Sequence, residues 1–275
     1  MKCTDIKLND PWISYLDFRD YDAYAKDVAE YEPNYLIHLG AHTDLEYCET
    51  NVDDAYLTNT IAVENAVLIA NARSIPVVYI STAGIFDGSK DTFDDWDRPN
   101  PLGHYARSKY AGEQYVEKLA DRFLICRAGW MMGGGPTKDK KFIQKLMKQI
   151  KDGKKQLFVV DDKLGTPTYT HDFAGNVKLL LDQELWGLYN MVCSGVTSRL
   201  DVARELIRLV QPTVSDIEIV PVPSSYWEKE YFADRPPSER LLNTKLRLRN
   251  MDVMRDWRVC LEDYLSNYYV NYLGE

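Results

Sequence analysis

The chain has 275 residues and is 45% hydrophobic and 12% aromatic, so it can bury the core of one large domain or two closely joined ones. Its net charge of −9 argues against nucleic acid as a general partner. It has no apolar run near the roughly 18 residues that span a membrane, and its N-terminus lacks the apolar core of a signal peptide. Five widely spaced cysteines without a C-x-x-C pair predict reduced thiols in the cytoplasm and no disulfide framework or metal site.

Helices alternate with short apolar strands along the first half of the chain. The pattern predicts, in chain order, a helix over 21–31, a strand over 35–39, a helix over 51–73, a strand over 75–80, a helix over 105–121 and a strand over 123–126. The strand over 75–80 is apolar on both faces, which is typical of a central parallel strand covered by helices. This alternation predicts an α/β fold with a Rossmann-like parallel sheet.

The long helix over 51–73 is predicted to bury one apolar side, formed by Ala55, Leu57, Ile61, Val63, Val67, Leu68 and Ala70. After Trp130 the pattern changes, and it predicts helices over 139–152, 200–210 and 261–272 and a strand over 156–160. The first of these helices is rich in lysine. We interpret it as a solvated face whose apolar residues, Phe142, Ile143, Leu146, Met147 and Ile150, turn inward. The alternative is a cationic rim for a diphosphate.

Tyr105 and Lys109 are four residues apart on a predicted helix and therefore share one face. The preceding strand leads to Ser81 and Thr82 at the carboxyl edge of the sheet, where ligands of such sheets bind. A nearby ammonium lowers the pKa of a tyrosine, so the phenol can exchange a proton with a carbonyl oxygen. Although a Y-x-x-x-K pair also occurs by chance in helices, this context predicts the active site of a nicotinamide-dependent reductase.

Two runs around these residues, VYISTAGIFDG and NPLGHYARSKYAGE, resemble the extended short-chain dehydrogenase/reductases. Within that family the chain most resembles dTDP-4-dehydrorhamnose reductase and its relatives. Further stretches agree in the same order: IHLGAHTDLEYCE, RAGWMMGGG, VVDDKLGTPTYTHDFA and RPPSERLLNTKL. The resemblance implies NAD(P)H-dependent reduction of a 4-keto sugar attached to a nucleotide diphosphate, with NADP or NAD as cofactor, and a homodimer.

The resemblance also implies roles for individual residues. Tyr105 donates the proton, Lys109 adjusts its pKa, and both contact the cofactor. Further cofactor contacts are implied in two loops, at Asp17, Phe18, Ala41, His42 and Thr43. Substrate contacts are implied at Thr82, which binds the carbonyl, at Ala83 and at Trp130.

Alternatives stay open for three of the implied site residues. Core packing is an equal alternative for Trp130, because a tryptophan after a strand is often buried. For His42, a loop residue of which only the backbone matters is the favoured interpretation. Asn59 is a weaker candidate, since a buried asparagine also satisfies backbone groups.

Two features depart from the family. Its loop reads S-T-D-x-V-F, whereas this chain has Ala83 after the threonine, so a substrate contact is lost. The family also begins with a strand and a glycine-rich turn that binds the cofactor pyrophosphate, yet residues 1–34 contain no glycine. Because the match begins near Ile13 to Asp17, about 35–40 residues of the first unit are expected to be missing. Cofactor affinity is therefore expected to be weak.

We therefore interpret 1–127 as an incomplete Rossmann-like dinucleotide-binding domain. Residues 128–275 are mainly a smaller nucleotide-sugar domain, with 186–193 returning to the main sheet. The leading hypothesis is a nucleotide-sugar 4-keto reductase, and the alternative is a non-catalytic nucleotide-sugar-binding or regulatory protein. An epimerase or dehydratase ranks third, because Ala83 and Gly84 offer neither an acid nor a base. The sequence leaves open the sugar, the nucleotide, and the choice between NADH and NADPH.

Overall fold

The structure, a computed structural model, describes residues 1–211, 214 and 216–274. Its strands, in chain order, are β1 (Cys3–Asp5), β2 (Ile13–Tyr15), β3 (Leu36–His38), β4 (Val77–Thr82), β5 (Phe123–Ala128), β6 (Trp130–Met132), β7 (Gln156–Val160), β8 (Leu164–Gly165), β9 (Pro167–Tyr169), β10 (Gly187–Asn190), β11 (Thr197–Ser198), β12 (Glu218–Val222) and β13 (Ser238–Glu239).

Its α-helices are α1 (Tyr21–Tyr31), α2 (Leu45–Thr50), α3 (Val52–Tyr56), α4 (Ala62–Ala72), α5 (His104–Leu119), α6 (Gly135–Lys138), α7 (Phe142–Lys151), α8 (Thr170–Asp182), α9 (Arg199–Val210), α10 (Thr244–Leu248) and α11 (Trp257–Tyr268). A π-helical turn covers Leu57–Ile61, and 3₁₀ turns cover Ala83–Ile85 and Ser224–Trp227. Within the described ranges, no helix combines the length and the apolar character that crossing a membrane requires.

The main sheet is parallel and has the order β10-β5-β4-β3. Its central strand β4 is apolar on both faces, as the sequence predicts, because different apolar clusters cover its two sides. Tyr79 packs into a cluster with Val63 and Val116 from α4 and α5, whereas Val78 packs into one with Leu180 of α8. The predicted α/β fold with a Rossmann-like parallel sheet is confirmed.

The N-terminal strands β1 and β2 pair in parallel with each other, from Cys3 opposite Ile13 to Asp5 opposite Tyr15. They form a two-stranded sheet of their own. Leu16, which follows β2, is buried with Tyr24, Val28 and Leu36. The residues after β2 are thereby fixed against β3.

The second half of the chain builds small sheets around a large apolar cluster. β7 pairs with β12, β6 pairs with β9, and β8 lies between β11 and β13. The lysine-rich helix α7 packs onto this cluster through the apolar residues that the sequence predicts, and Phe142 is partly buried there. Trp130 of β6 donates to Glu239 of β13 and lies against Gly165 of β8, so this half brings a polar group to the carboxyl end of β4.

The predicted helix over 51–73 is wrong in one respect, because the π-helical turn interrupts it. A π turn holds an extra residue, which rotates the helix face that follows. Thr58, Asn59 and Thr60 are buried there, while Leu57, Ile61 and Leu68 are 42%, 42% and 45% exposed. These three positions therefore lie on the outer side of the segment, whereas the predicted burial of the other four, Ala55, Val63, Val67 and Ala70, is confirmed.

Candidate active site

Thr82, Tyr105 and Lys109 come together at the carboxyl end of β4. Thr82 is the last residue of that strand, and Tyr105 lies in the first turn of α5, which packs beside it. A hydrogen bond joins Tyr105 to Thr82, and Thr82 Oγ1 also accepts one from the Gly84 amide at 3.1 Å. Lys109 Nζ donates to the Ile80 carbonyl at 2.7 Å. The structure thus assembles the three residues that the sequence predicts as catalytic.

Burial dominates the electrostatics of this group. It raises the pKa of Tyr105 to about 12, against the opposing effect of the Thr82 hydrogen bond, and the charge of Glu239 raises it further. Lys109 is only 4% exposed, and burial lowers its pKa to about 7 although Glu113 counteracts the change. Burial thus sets the direction of the Tyr105 shift in this structure, and the lowering of the Tyr105 pKa by Lys109 stays a prediction.

The π-helical turn fixes α5 and hence the position of Tyr105 and Lys109. Asn59 is fully buried and donates to Ser108 Oγ at 3.1 Å, and Thr60 Oγ1 donates to the Ser108 carbonyl at 2.8 Å. A β-carbon on Gly112 would lie 2.5 Å from the Asn59 carbonyl oxygen, so α5 and the turn pack with their backbones in contact. The π-helical turn therefore helps to fix α5, the helix that carries Tyr105 and Lys109.

The loop after β3 carries Ala41, His42 and Thr43. Asn59 holds the backbone of this loop, since its side chain accepts from the His42 amide at 2.8 Å and donates to the His42 carbonyl at 3.1 Å. The His42 ring contacts Asp54 at 2.7 Å. Ala41 is half-buried, and the hydroxyl and carbonyl oxygens of Thr43 accept hydrogen bonds from Lys141.

The second predicted cofactor loop carries Asp17 and Phe18. The Asp17 carboxylate accepts from Arg19 Nε at 2.9 Å and Nη2 at 2.6 Å, which holds the Asp17 pKa below its ordinary value. Arg19 also reaches Asp54 at 3.1 Å, so the two loops are joined by one ion-pair network. A β-carbon on Gly40 would lie 2.1 Å from Phe18 Cε1, because the phenyl ring rests on that glycine. The predicted cofactor residues are close together, but Asp17 is occupied by Arg19.

Trp130 is the first residue of β6. Its Nε1 donates to Glu239 Oε2 at 2.7 Å. A β-carbon on Gly165 would lie 2.1 Å from Trp130 Cζ2, and the Arg199 guanidinium lies 3.6 Å from the ring centre. Ala83, the other predicted substrate contact, is 1% exposed within an apolar cluster.

Comparison with known families matches residues 4–270 to the family described as the RmlD substrate binding domain. The chain belongs to this family. The match begins before Ile13, so the likeness extends further toward the N-terminus than the motifs predict. The predicted membership of the dTDP-4-dehydrorhamnose reductase relatives, within the extended short-chain dehydrogenase/reductases, is confirmed.

Individual members of the family agree over most of the chain. The dTDP-4-dehydrorhamnose reductase of Salmonella typhimurium is 28% identical over 260 residues, which cover 91% of this chain and 85% of that protein. The crystal structure of the Clostridium acetobutylicum enzyme of that name is 30% identical, with a TM-score of 0.84 over 95% of this chain and 92% of that one. The Bacillus anthracis enzyme in complex with NADP is 27% identical, with a TM-score of 0.85 over 93% and 90%.

Some residues of the site in this family member do not follow from the sequence. Glu239 and Arg199 lie far along the chain from Tyr105, and no local spacing connects them with it. Arg19 stands beside the predicted Asp17, but only the fold shows that it also pairs with Asp54. A charged residue next to an implied ligand contact is the one sequence feature that could have indicated Arg19.

Proposed function

We propose that this chain reduces the 4-keto group of a sugar attached to a nucleotide diphosphate, with NADPH or NADH as the reductant. The observation that carries the proposal is the group of Thr82, Tyr105 and Lys109 at the carboxyl end of β4, in a chain of this family. Relatives named dTDP-4-dehydrorhamnose reductase indicate dTDP-4-dehydrorhamnose as the substrate to test first.

The proton in this reaction comes from Tyr105. With a pKa of about 12, its hydroxyl is protonated at neutral pH and can donate to the carbonyl oxygen as that oxygen becomes an alcohol. Thr82, hydrogen-bonded to Tyr105, presents its hydroxyl to the same oxygen and fixes its position. Lys109 lies one helical turn after Tyr105 and is held there by its hydrogen bond to the Ile80 carbonyl. From that position it can restore a proton to the tyrosine or stabilise the tyrosine anion.

A nicotinamide cofactor would supply the hydride, and the residues present fit its reactive end. Lys109 lies buried beside Tyr105, with donors to spare for ribose hydroxyls. The loop of Ala41, His42 and Thr43 lies next to it, held by Asn59. For the pyrophosphate, residues 1–39 offer no glycine-rich turn, because Gly40 is the first glycine of the chain. The fit is therefore good at Tyr105 and Lys109 and poor toward the phosphates.

Cations near the sugar side support a diphosphate substrate. Lys141 reaches the Thr43 loop, Lys145 donates to Tyr231 at 3.0 Å, and the Arg235 guanidinium lies 5.4 Å from the same ring. Lys141 immediately precedes α7, Lys145 lies within it, and Arg235 belongs to the segment before β13, so residues distant in sequence converge. A local cationic rim can bind an anion despite the net charge of −9. The lysine-rich helix would therefore have both predicted roles: its apolar residues pack inward, and some of its lysines form a cationic rim for a diphosphate.

The direct test is oxidation of NADPH and of NADH in the presence of dTDP-4-dehydrorhamnose. We expect turnover that depends on both compounds and forms the 4-hydroxy sugar. Absence of turnover at substrate and cofactor concentrations that saturate a family member would contradict the proposal.

A second candidate is a nucleotide-sugar-binding protein without catalysis. The pairing of Asp17 with Arg19 and the packing of Phe18 on Gly40 favour it, since both occupy groups that the family implies for the cofactor. Calorimetric titration with NADPH separates the candidates. Micromolar binding supports the reductase, whereas sugar-nucleotide binding without NADPH binding supports the second candidate.

Further parts of the proposal concern organisation. We retain the division into 1–127 and 128–275 as a prediction, with β10 in the main sheet beside β5. We also retain the homodimer, which the exposed apolar side chains of Leu57, Ile61 and Leu68 support. Sedimentation of the wild type and of Ile61→Lys tests it, because a charge in the interface should shift the protein to monomer. The cytoplasmic location stays a prediction.

A further inference from the structure

Glu239 places a carboxylate beside the catalytic group. It is the last residue of β13, which pairs in parallel with β8, and it is half-buried. One carboxylate oxygen, Oε2, accepts the Trp130 indole hydrogen bond at 2.7 Å. The side chain is thereby fixed in direction, since a bond to an ionised acceptor is stronger than one between neutral groups.

The other oxygen of Glu239 faces the reacting groups. A β-carbon on Gly84 would lie 3.3 Å from Glu239 Oε1. The same point would lie 3.5 Å from Thr82 Oγ1 and 3.9 Å from Tyr105 Cε1. Among the described residues, Oε1 receives no hydrogen bond, so its acceptor capacity is available to a ligand.

Arg199 and Gly165 hold this arrangement from behind. The Arg199 guanidinium stacks on the Trp130 ring, and the Gly165 backbone lies against the ring as well. Both contacts restrict the indole, and the indole orients Glu239. The carboxylate is consequently a supported acceptor rather than a mobile surface group.

We propose that Glu239 binds the sugar hydroxyl on the ring carbon next to the keto carbon. This inference rests on the proposed function, because Thr82 and Tyr105 then fix the keto oxygen. A neighbouring hydroxyl lies beside that oxygen and can donate to Oε1. Ala83 has no polar side-chain atom, so the acidic contact that the family's loop implies is supplied here from β13. Glu239 is thus a specificity-determining residue for sugars with a hydroxyl at this carbon.

The proposal is tested by binding, which needs neither hydride transfer nor NADPH. Calorimetry would compare dTDP-glucose, dTDP-3-deoxyglucose, dTDP-2-deoxyglucose and dTDP on the wild type and on Glu239→Gln. Replacing the carboxylate with an amide should lower the affinity for dTDP-glucose and dTDP-2-deoxyglucose about 10- to 100-fold. Binding of dTDP-3-deoxyglucose and of dTDP should change less than about threefold.

Two further variants keep the result interpretable. Glu230→Gln, an exposed glutamate in the same half of the chain, should bind all four ligands like the wild type. Trp130→Phe retains an aromatic ring but loses the hydrogen bond to Glu239 Oε2. It should therefore lower the affinity for dTDP-glucose and dTDP-2-deoxyglucose by a smaller factor than Glu239→Gln. Unchanged dTDP affinity shows that each variant is folded.

Several outcomes would overturn the inference. One is an equal loss of affinity for dTDP and dTDP-glucose in Glu239→Gln, and another is unchanged affinity for both ligands. A third is Glu239-dependent exchange of deuterium from solvent into the carbon next to the ketone, which would make Glu239 a base rather than a hydroxyl ligand. A wild type that binds dTDP-glucose but does not oxidise NADPH would refute the proposed reduction while leaving this binding test valid.

Discussion

The two sides of the cleft at the end of β4 are held together by different interactions. Around Tyr105 and Lys109 the contacts are buried: Asn59 and Thr60 fix α5, and Lys109 donates to a strand carbonyl. Around Asp17 and His42 they are ion pairs between side chains that are roughly one-quarter to one-third exposed. Exposed ion pairs contribute little, whereas a buried polar group is costly to leave unpaired. The catalytic side is therefore rigid. On the cofactor side the ion pairs can rearrange at low cost, while Asn59 holds the backbone of His42 in place.

This difference bears on how the cofactor would be admitted. Asp17 must release its hydrogen bonds to Arg19 before it can contact a dinucleotide. The Phe18 ring must likewise move off Gly40 or pack against the dinucleotide from its present position. Tyr105 and Lys109 require no such change. Substitutions on each side of the cleft can test whether the two sides differ in this way, and those on the catalytic side should have the greater effect.

Tyr105→Phe removes the proton donor from the rigid side. We expect the rate of keto-sugar reduction to fall by about 10²- to 10⁴-fold, because general acid catalysis contributes on that scale. Steady-state NADPH oxidation measures the change, with Tyr115→Phe on the same helix as the matched control. Equal activity of Tyr105→Phe and the wild type would remove Tyr105 from the mechanism.

His38 lies at the boundary between the two sides, buried on β3 with its ring 5.0 Å from that of Phe18. Burial, together with the charge of Lys109, lowers its pKa to about 3. The unfolded chain binds a proton near pH 6.5 and the folded one does not, so stability is lost as the pH falls from 6.5 toward 3. Urea unfolding should show a loss of roughly 2–5 kcal/mol from this group in the wild type. The slope should be shallower in His38→Asn, and an equal slope in both would contradict the assignment.

Gly40→Ala tests the packing of the cofactor side. The new β-carbon would overlap the Phe18 ring, so we expect the free energy of unfolding to fall by about 1–3 kcal/mol. Adding Phe18→Leu should return part of that loss, because the two sites are in contact. Losses that simply add would show that the Phe18 ring is not what opposes the new β-carbon.

Arg19→Gln should change the protein least. The Arg19 side chain is 33% exposed, so its pairs with Asp17 and Asp54 should stabilise the fold by less than about 1 kcal/mol. Urea unfolding measures this, with Arg208→Gln on α9 as the control for an exposed pair. A loss above about 2 kcal/mol would mean that the two sides of the cleft are equally firm.

The parts of this site that can be predicted from the sequence are those set by the spacing of neighbouring residues in one helix or strand. The spacing of Tyr105 and Lys109 fixes a shared helix face, and the apolar strand before Thr82 fixes the end of β4. The predicted burial of Leu57, Ile61 and Leu68 is wrong, because a regular helical period cannot anticipate a π turn. Nothing local identifies the turn, and the contact that it makes, between the Asn59 backbone and Gly112, is with another helix.

Glu239 cannot be predicted for a different reason. It lies in a strand of two residues, too short to give a periodic pattern, and its partner Trp130 precedes it by most of the second half of the chain. Arg19 has its partner two residues away, yet the pairing with Asp54 depends on how β2 meets α3. Contacts that close long loops follow from the tertiary fold, and the sequence specifies them only through it.

Strand β3 carries a practical consequence for handling the protein. It is the last strand of the main sheet, with β4 on one side, and among the described residues no strand pairs with its other side. Ile37 at its centre is 45% exposed. Unpaired strand edges with apolar side chains favour association between molecules in concentrated solution, and natural proteins often place lysine at such positions. Ile37 is accordingly the position at which a lysine should extend the working concentration range for crystallisation or NMR.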